Sequence, residues 1–127
     1  MSHTIELIEN GKVIKTRFHG ETQPDEIQSV MSKNLEMAKR HQTSLFLVDC
    51  TELKDETSYV FENYEVGVML AEMQKQLPAR LKDALILPRS EKAAENLRFF
   101  ETVTLNRGMD VRTFEKETDA LAWLLNR

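Results

Sequence analysis

The chain predicts a single α/β domain on a five-stranded, mostly parallel sheet whose first strand runs antiparallel, in the order ββαβαβαβα. Three observations predict it. Two short apolar runs near the start flank an Asn10-Gly11 pair. Two continuous apolar runs, Leu45-Phe-Leu-Val48 and Ala84-Leu-Ile-Leu87, have the length and composition of strands covered on both faces. Between the runs, apolar residues recur at helical spacing. Strands alternating with helices imply right-handed crossovers and a βα superhelix in which successive strands are neighbours.

Ile5, Leu7 and Ile8, then Val13, Ile14 and Phe18, read as a hairpin, because Asn10 and Gly11 tolerate the positive φ of a two-residue turn. A helix start follows, with Thr22 able to cap, Pro24 in the first turn and Asp25 near the positive end of the dipole. Ile27, Val30, Met31, Leu35 and Ala38 keep helical spacing, and Lys39, Arg40 and His41 suit its last turn. The strand from Ser44 ends in Asp49. From about Tyr59 to Leu77 a second helix holds more apolar residues than one stripe requires, so it is either buried on most sides or packed on a partner. Gly67 within it costs about 1 kcal/mol relative to Ala unless close packing needs it. Pro78 marks its end. Pro88 stops the next strand, Ser90 caps a helix bearing Ala93, Ala94, Leu97, Phe100 and Val103, and Gly108 closes it. Val111 to Phe114 is the last strand. Thr118 caps a final helix with Ala120, Leu121, Leu124 and Leu125 on one face, and Trp123 seals it to the sheet.

With 127 residues, the chain buries roughly two-thirds of its unfolded surface as one domain, residues 1–127. Its 17 Lys and Arg are scattered among 21 Asp and Glu, for a net charge of -4, which excludes the dense basic stripe of a nucleic-acid binder. No apolar run approaches the roughly 20 residues of a membrane span, so integral membrane association is not expected. The start Met1-Ser-His-Thr-Ile-Glu6 lacks the cationic residues and apolar run of a signal peptide, so the expected location is cytoplasmic. One cysteine, Cys50, rules out an internal disulfide.

Candidate functional residues gather where the strands end. Asp49 is placed to orient a partner or ligand at the carboxyl edge of the sheet, or to satisfy the loop amides beside it, with Thr51 next in that loop. Cys50 would be a nucleophile only with a lowered pKa, and without a basic neighbour in sequence it reads as a buried structural thiol. Arg89 and Ser90 can hold a phosphate or carboxylate at a helix start, or act as a solvated cation and an N-cap. His3, His19 and His41 are too widely spread for a metal site, and no cofactor motif is present. Glu52, Asp55 and Glu56 form an acidic loop, not an acid/base pair. Tyr59, Phe61, Tyr64, Met69 and Met73 suit either a core or an adaptable apolar pocket.

The element order, the run Leu45-Phe-Leu-Val-Asp49 with its loop and apolar helix, and the ending Phe114-Glu-Lys-Glu-Thr-Asp119-Ala-Leu-Ala-Trp123-Leu together resemble the STAS superfamily of anti-sigma-factor antagonists. This is the SpoIIAA-like fold, and in particular its small single-domain bacterial branch, grouped with the CRAL-TRIO lipid-binding fold. The resemblance implies a non-enzymatic regulator. In its regulatory members an Asp-Ser pair follows the Leu-Asp strand end at a helix start, and a partner kinase phosphorylates the Ser. Here the pair falls on Thr57 and Ser58, with Thr57 in place of the Asp and Tyr59 in place of a small residue. A phosphate there is favoured by the helix dipole and opposed by Asp55, Glu56 and Glu62; Thr57 or Ser58 serves equally as an N-cap.

The sequence therefore points to a regulatory or scaffolding protein-interaction module with its working surface at residues 49–64. The alternative is a carrier or sensor of a small apolar ligand or lipid, held between the second helix and the sheet. Crossovers of one hand place most helices on one face, and a homodimer is expected to cover what they leave bare.

Overall fold

A computed structural model describes residues 3–19, 24–54 and 64–127. Along the chain run β1 (His3–Ile8), β2 (Val13–Phe18), α1 (Pro24–His41), β3 (Leu45–Asp49), α2 (Tyr64–Gln74), β4 (Lys82–Ile86), α3 (Glu91–Asn106), β5 (Asp110–Phe114) and α4 (Glu117–Leu125). The strands lie side by side in chain order, β1 antiparallel to β2 and every later pair parallel, which is the predicted α/β architecture.

Several element ends differ from the sequence reading, each for a local reason. The hairpin loop has four residues, not two: Ile8 pairs with Val13, and Glu9, Asn10 and Gly11 all take positive φ, closed by Gly11 N–H donating to the Ile8 carbonyl. Thr22 lies outside the described residues. Pro24 is the first residue of α1, where its missing N–H costs nothing. Helix α2 ends at Gln74, before Pro78 is reached, and its predicted start near Tyr59 lies outside the described residues. Lys116, not Thr118, occupies the N-cap of α4, with no side-chain capping bond, so Thr118 lies inside the helix. Ser90 does cap α3, its hydroxyl accepting from Ala93 N–H at 3.3 Å, and Gly108 closes that helix at φ +78°.

Because strand side chains alternate, the sheet has two differently furnished faces. Ile14, Phe46, Asp83 and Val111 form one cross-strand row, with Thr16, Val48, Leu85 and Thr113 in the next. This face is covered by α1, α2 and α3, whose Ile27, Val30, Val66, Leu70, Leu97 and Phe100 join it in the larger core. Helix α2 lies between α1 and α3 and touches both, which accounts for its excess of apolar positions. The opposite face presents Val13, Leu47, Ala84 and Ile86, and α4 covers it with Ala120 and Leu124. That helix supplies the cover that a homodimer was expected to give. Trp123 is half-buried beside α4's main anchors, tilted against Phe114 at 5.7 Å, with Lys82 and Arg112 each 5.2 Å from its ring centre. On the edge strand β5, Glu101 of α3 accepts from the Thr113 N–H at 2.9 Å and from its hydroxyl at 3.0 Å, which blunts an edge open to pairing. No helix among the described residues is long and apolar enough to cross a membrane.

Candidate functional site

At the carboxyl ends of β3 and β4, the residues singled out by sequence are committed to holding the chain in place. Asp49 Oδ1 accepts from Thr51 N–H at 3.0 Å and from the Thr51 hydroxyl at 2.7 Å, a closed turn that occupies both residues. Register places Arg17 beside Asp49, yet its guanidinium reaches Glu52 at 3.0 Å. Cys50, one residue on, belongs to the other face of the sheet and is fully buried, its N–H extending the ladder to the Ile86 carbonyl at 3.0 Å. Burial first, then the charges of Asp83 and Asp49, push its thiol well above the ordinary range, so it stays protonated and unreactive. Asp49 and Cys50 therefore cannot act on one substrate. Ser90's hydroxyl is engaged as a cap and Arg89 is exposed. Thr57, Ser58 and Phe61 lie outside the described residues, and Tyr64 is the first described residue of α2. Among the described residues no three His, Cys, Asp or Glu groups converge as metal ligands.

An opening lies beneath the three-helix face, between the second helix and the sheet, where the sequence offers an apolar pocket; of the residues named for that pocket Met73 lines it, and Asp83 is the wall residue that sequence reasoning missed. A cavity of about 60 Å³ is bounded by Thr16, Phe18, Phe46, Val48, Asp83 and Leu85 of the sheet, by Ile27, Val30, Met31 and Asn34 of α1, by Val66, Leu70 and Met73 of α2, and by Phe100 of α3. Three of these residues are polar. Thr16 and Asn34 satisfy one another, Asn34 Nδ2 donating to Thr16 Oγ1 at 3.0 Å and to the Val30 carbonyl at 2.9 Å. Asp83 is 6% exposed, and its Oδ1 has no hydrogen-bond partner among the described residues; Gln74 Oε1 is the other buried side-chain oxygen in that condition. Loss of solvation alone raises the Asp83 carboxyl to about 7, with no neighbouring charge contributing.

The sequence held one signal for this acid. Lys82 and Asp83 look like a polar lead-in to the apolar run, which puts the expected strand start at Ala84. Strand alternation nevertheless puts Asp83 on the same face as Leu85, two residues on. A second polar contact also went unread: His3, 6% exposed on β1, meets the Glu26 carboxylate of α1 and ties the outer strand to the helix layer.

No family model matches the chain, and no curated protein matches it. Among solved structures it is similar to an anti-sigma-factor antagonist, a STAS domain from Rhodobacter sphaeroides, at 11% identity over 89% of this chain and 84% of that one, with a TM-score of 0.32. At that identity and score the likeness supports no transfer of residues, partners or activity.

Proposed function

We propose that the chain is a regulatory or scaffolding module that acts by binding a protein partner and not by catalysis. The supporting observation is that the polar groups of its carboxyl edge are consumed by its own structure: Asp49 holds Thr51, Ser90 holds α3, and the Cys50 thiol is buried and protonated. A catalytic edge needs a group activated and free to reach substrate. The reading assigns the interaction to Asp49, Thr51, Arg89 and Ser90 of this edge, and adds Thr57, Ser58, Phe61 and Tyr64 as candidates from the sequence. Within the reading, Ser58 is the phosphosite and the chain works in the bacterial cytoplasm. The test is recovery of wild type and Arg89→Glu from the source cells, with circular dichroism to establish that both are folded. The reading expects a partner held by wild type and lost by the variant, and a mass excess of about 80 Da per chain at Ser58 when phosphorylated. Equal recovery by both proteins would count against this edge.

A second reading is favoured by the cavity: a sensor of a small apolar molecule held between α2 and the sheet. Two methionines, Met31 and Met73, supply adaptable walls. At about 60 Å³ the space is well below the roughly 300–1,000 Å³ of pockets that enclose drug-sized ligands, so it suits a molecule of a few heavy atoms and not a lipid chain.

A further inference from the structure

Asp83 is out of keeping with its surroundings. A polar group buried without a partner costs free energy, and a buried charge costs more, so an acid retained on an apolar wall calls for a compensating donor. The described residues do not supply one: Thr16 and Asn34 are mutually satisfied, and the remaining walls are apolar. A water could serve, since the space holds several. Water, however, leaves the aliphatic and aromatic walls poorly matched, whereas a molecule with an apolar body and one donating end matches both parts.

Charge selects among such molecules. Among the described residues, Asp83 is the only ionisable one lining the cavity. A carboxylate ligand would meet it with like charge, an alcohol would give a hydrogen bond with only the acceptor charged, and an ammonium would give one in which both partners are charged. We propose that the cavity between the sheet and α1, α2 and α3 is a binding site for a small aliphatic amine, its ammonium on the Asp83 carboxylate and its alkyl body among Phe46, Val66, Leu70 and Phe100.

The assignment rests on the ligand-sensor reading and gives it a substrate class. The groups facing Asp83 do not confuse its titration: Thr16 and Asn34 are neutral, α2 and α3 contribute apolar side chains, and the Cys50 thiol in the same core remains protonated. With its carboxyl at about 7, Asp83 is about nine-tenths ionised at pH 8 and about one-tenth ionised at pH 6. An amine remains cationic at both values, so its affinity should fall about tenfold between them.

Titration calorimetry and amide chemical-shift mapping of the full chain with isobutylamine, isobutanol and isobutyrate, of nearly equal size, test the inference. A ligand this small is expected to bind in the millimolar range. The expected result is amine binding that shifts the amides around Asp83, weakens about tenfold from pH 8 to pH 6, and disappears in Asp83→Asn. Val66→Leu, which adds a methylene to the wall, should also lose it while remaining folded by circular dichroism. Isobutanol binding as well as the amine, without pH dependence, would overturn the amine assignment and leave the ligand-sensor reading standing. No binding of any of the three would overturn both.

Discussion

The two faces of the sheet are built from the same strands and solve different problems. On the α4 side, Val13, Leu47, Ala84, Ile86, Ala120 and Leu124 form a wholly apolar core, and the polar groups stay at its rim, where Lys15 meets Glu117 at 2.8 Å. On the three-helix side the layer is larger, yet it keeps a hole, an internal Thr16–Asn34 pair and an acid whose Oδ1 has no donor among the described residues. Strand β4 supplies both faces, with Ala84 and Ile86 toward α4 and Asp83 and Leu85 toward the cavity. The difference teaches where to look for function. Packing that serves stability alone closes, whereas departures from local rules gather where a protein binds something.

Paired truncations put the sharpest strain on this comparison. Leu47 is fully buried on the closed face, so Leu47→Ala should leave a rigid void and cost about 4 kcal/mol in denaturant unfolding. Leu70 borders existing space and is 6% exposed, so Leu70→Ala gives up fewer contacts and should cost about 2 kcal/mol. Equal costs would mean that the cavity walls are packed as tightly as the closed face, and the contrast would collapse.

Asp83 gives the next effect, and its sign is fixed by linkage. Its folded value of about 7 lies above the ordinary 3.8, so the native state keeps the proton longer than the unfolded chain. Stability should therefore fall as pH rises from about 4 to about 7 and level off above that, by about 4 kcal/mol in all. Asp83→Asn removes this slope. The stability of the variant relative to wild type should grow over the same window, read from urea unfolding of both proteins across it. Parallel pH profiles would show that Asp83 is ionised and paired in solution.

How much was legible in the sequence follows from how local each signal is. The run Leu45–Val48, the spacing in α1 and α3, the Ser90 cap and the Gly108 stop depend on neighbours a few residues apart, and they read correctly; the run Ala84–Leu87 marks a strand whose observed bounds, Lys82–Ile86, lie nearer the start of the chain. The Asn10-Gly11 pair marked a turn but not its length, because Glu9 also adopts positive φ. Thr118 misled because Lys116 caps α4 through backbone geometry alone. Asp49 and Ser90 were found as edge residues, and their alternative local roles are the ones observed. Asp83 was missed because its burial depends on β3 and β5 flanking its strand and on three helices covering that face, none of which its own segment encodes.

Gly67 offers the smallest effect and bears on how tightly the three-helix face is closed. A glycine inside a helix costs about 1 kcal/mol relative to alanine, through its larger unfolded freedom, unless a neighbour needs the missing Cβ space. Gly67 is buried in α2 over the sheet, between the layer's other two helices, where such a need would be ordinary. Yet among the described residues a Cβ built there meets only Arg107 Nη1, at 3.9 Å, which is normal van der Waals distance and the far end of a flexible side chain. Close approach therefore does not require the glycine. Gly67→Ala should stabilise the fold by up to about 1 kcal/mol in denaturant unfolding. A loss of stability would mean that α2 sits closer to its neighbours in solution, leaving less room beneath it for a ligand. A gain would fit a helix seated loosely over its cavity, in contrast to the closed packing under α4.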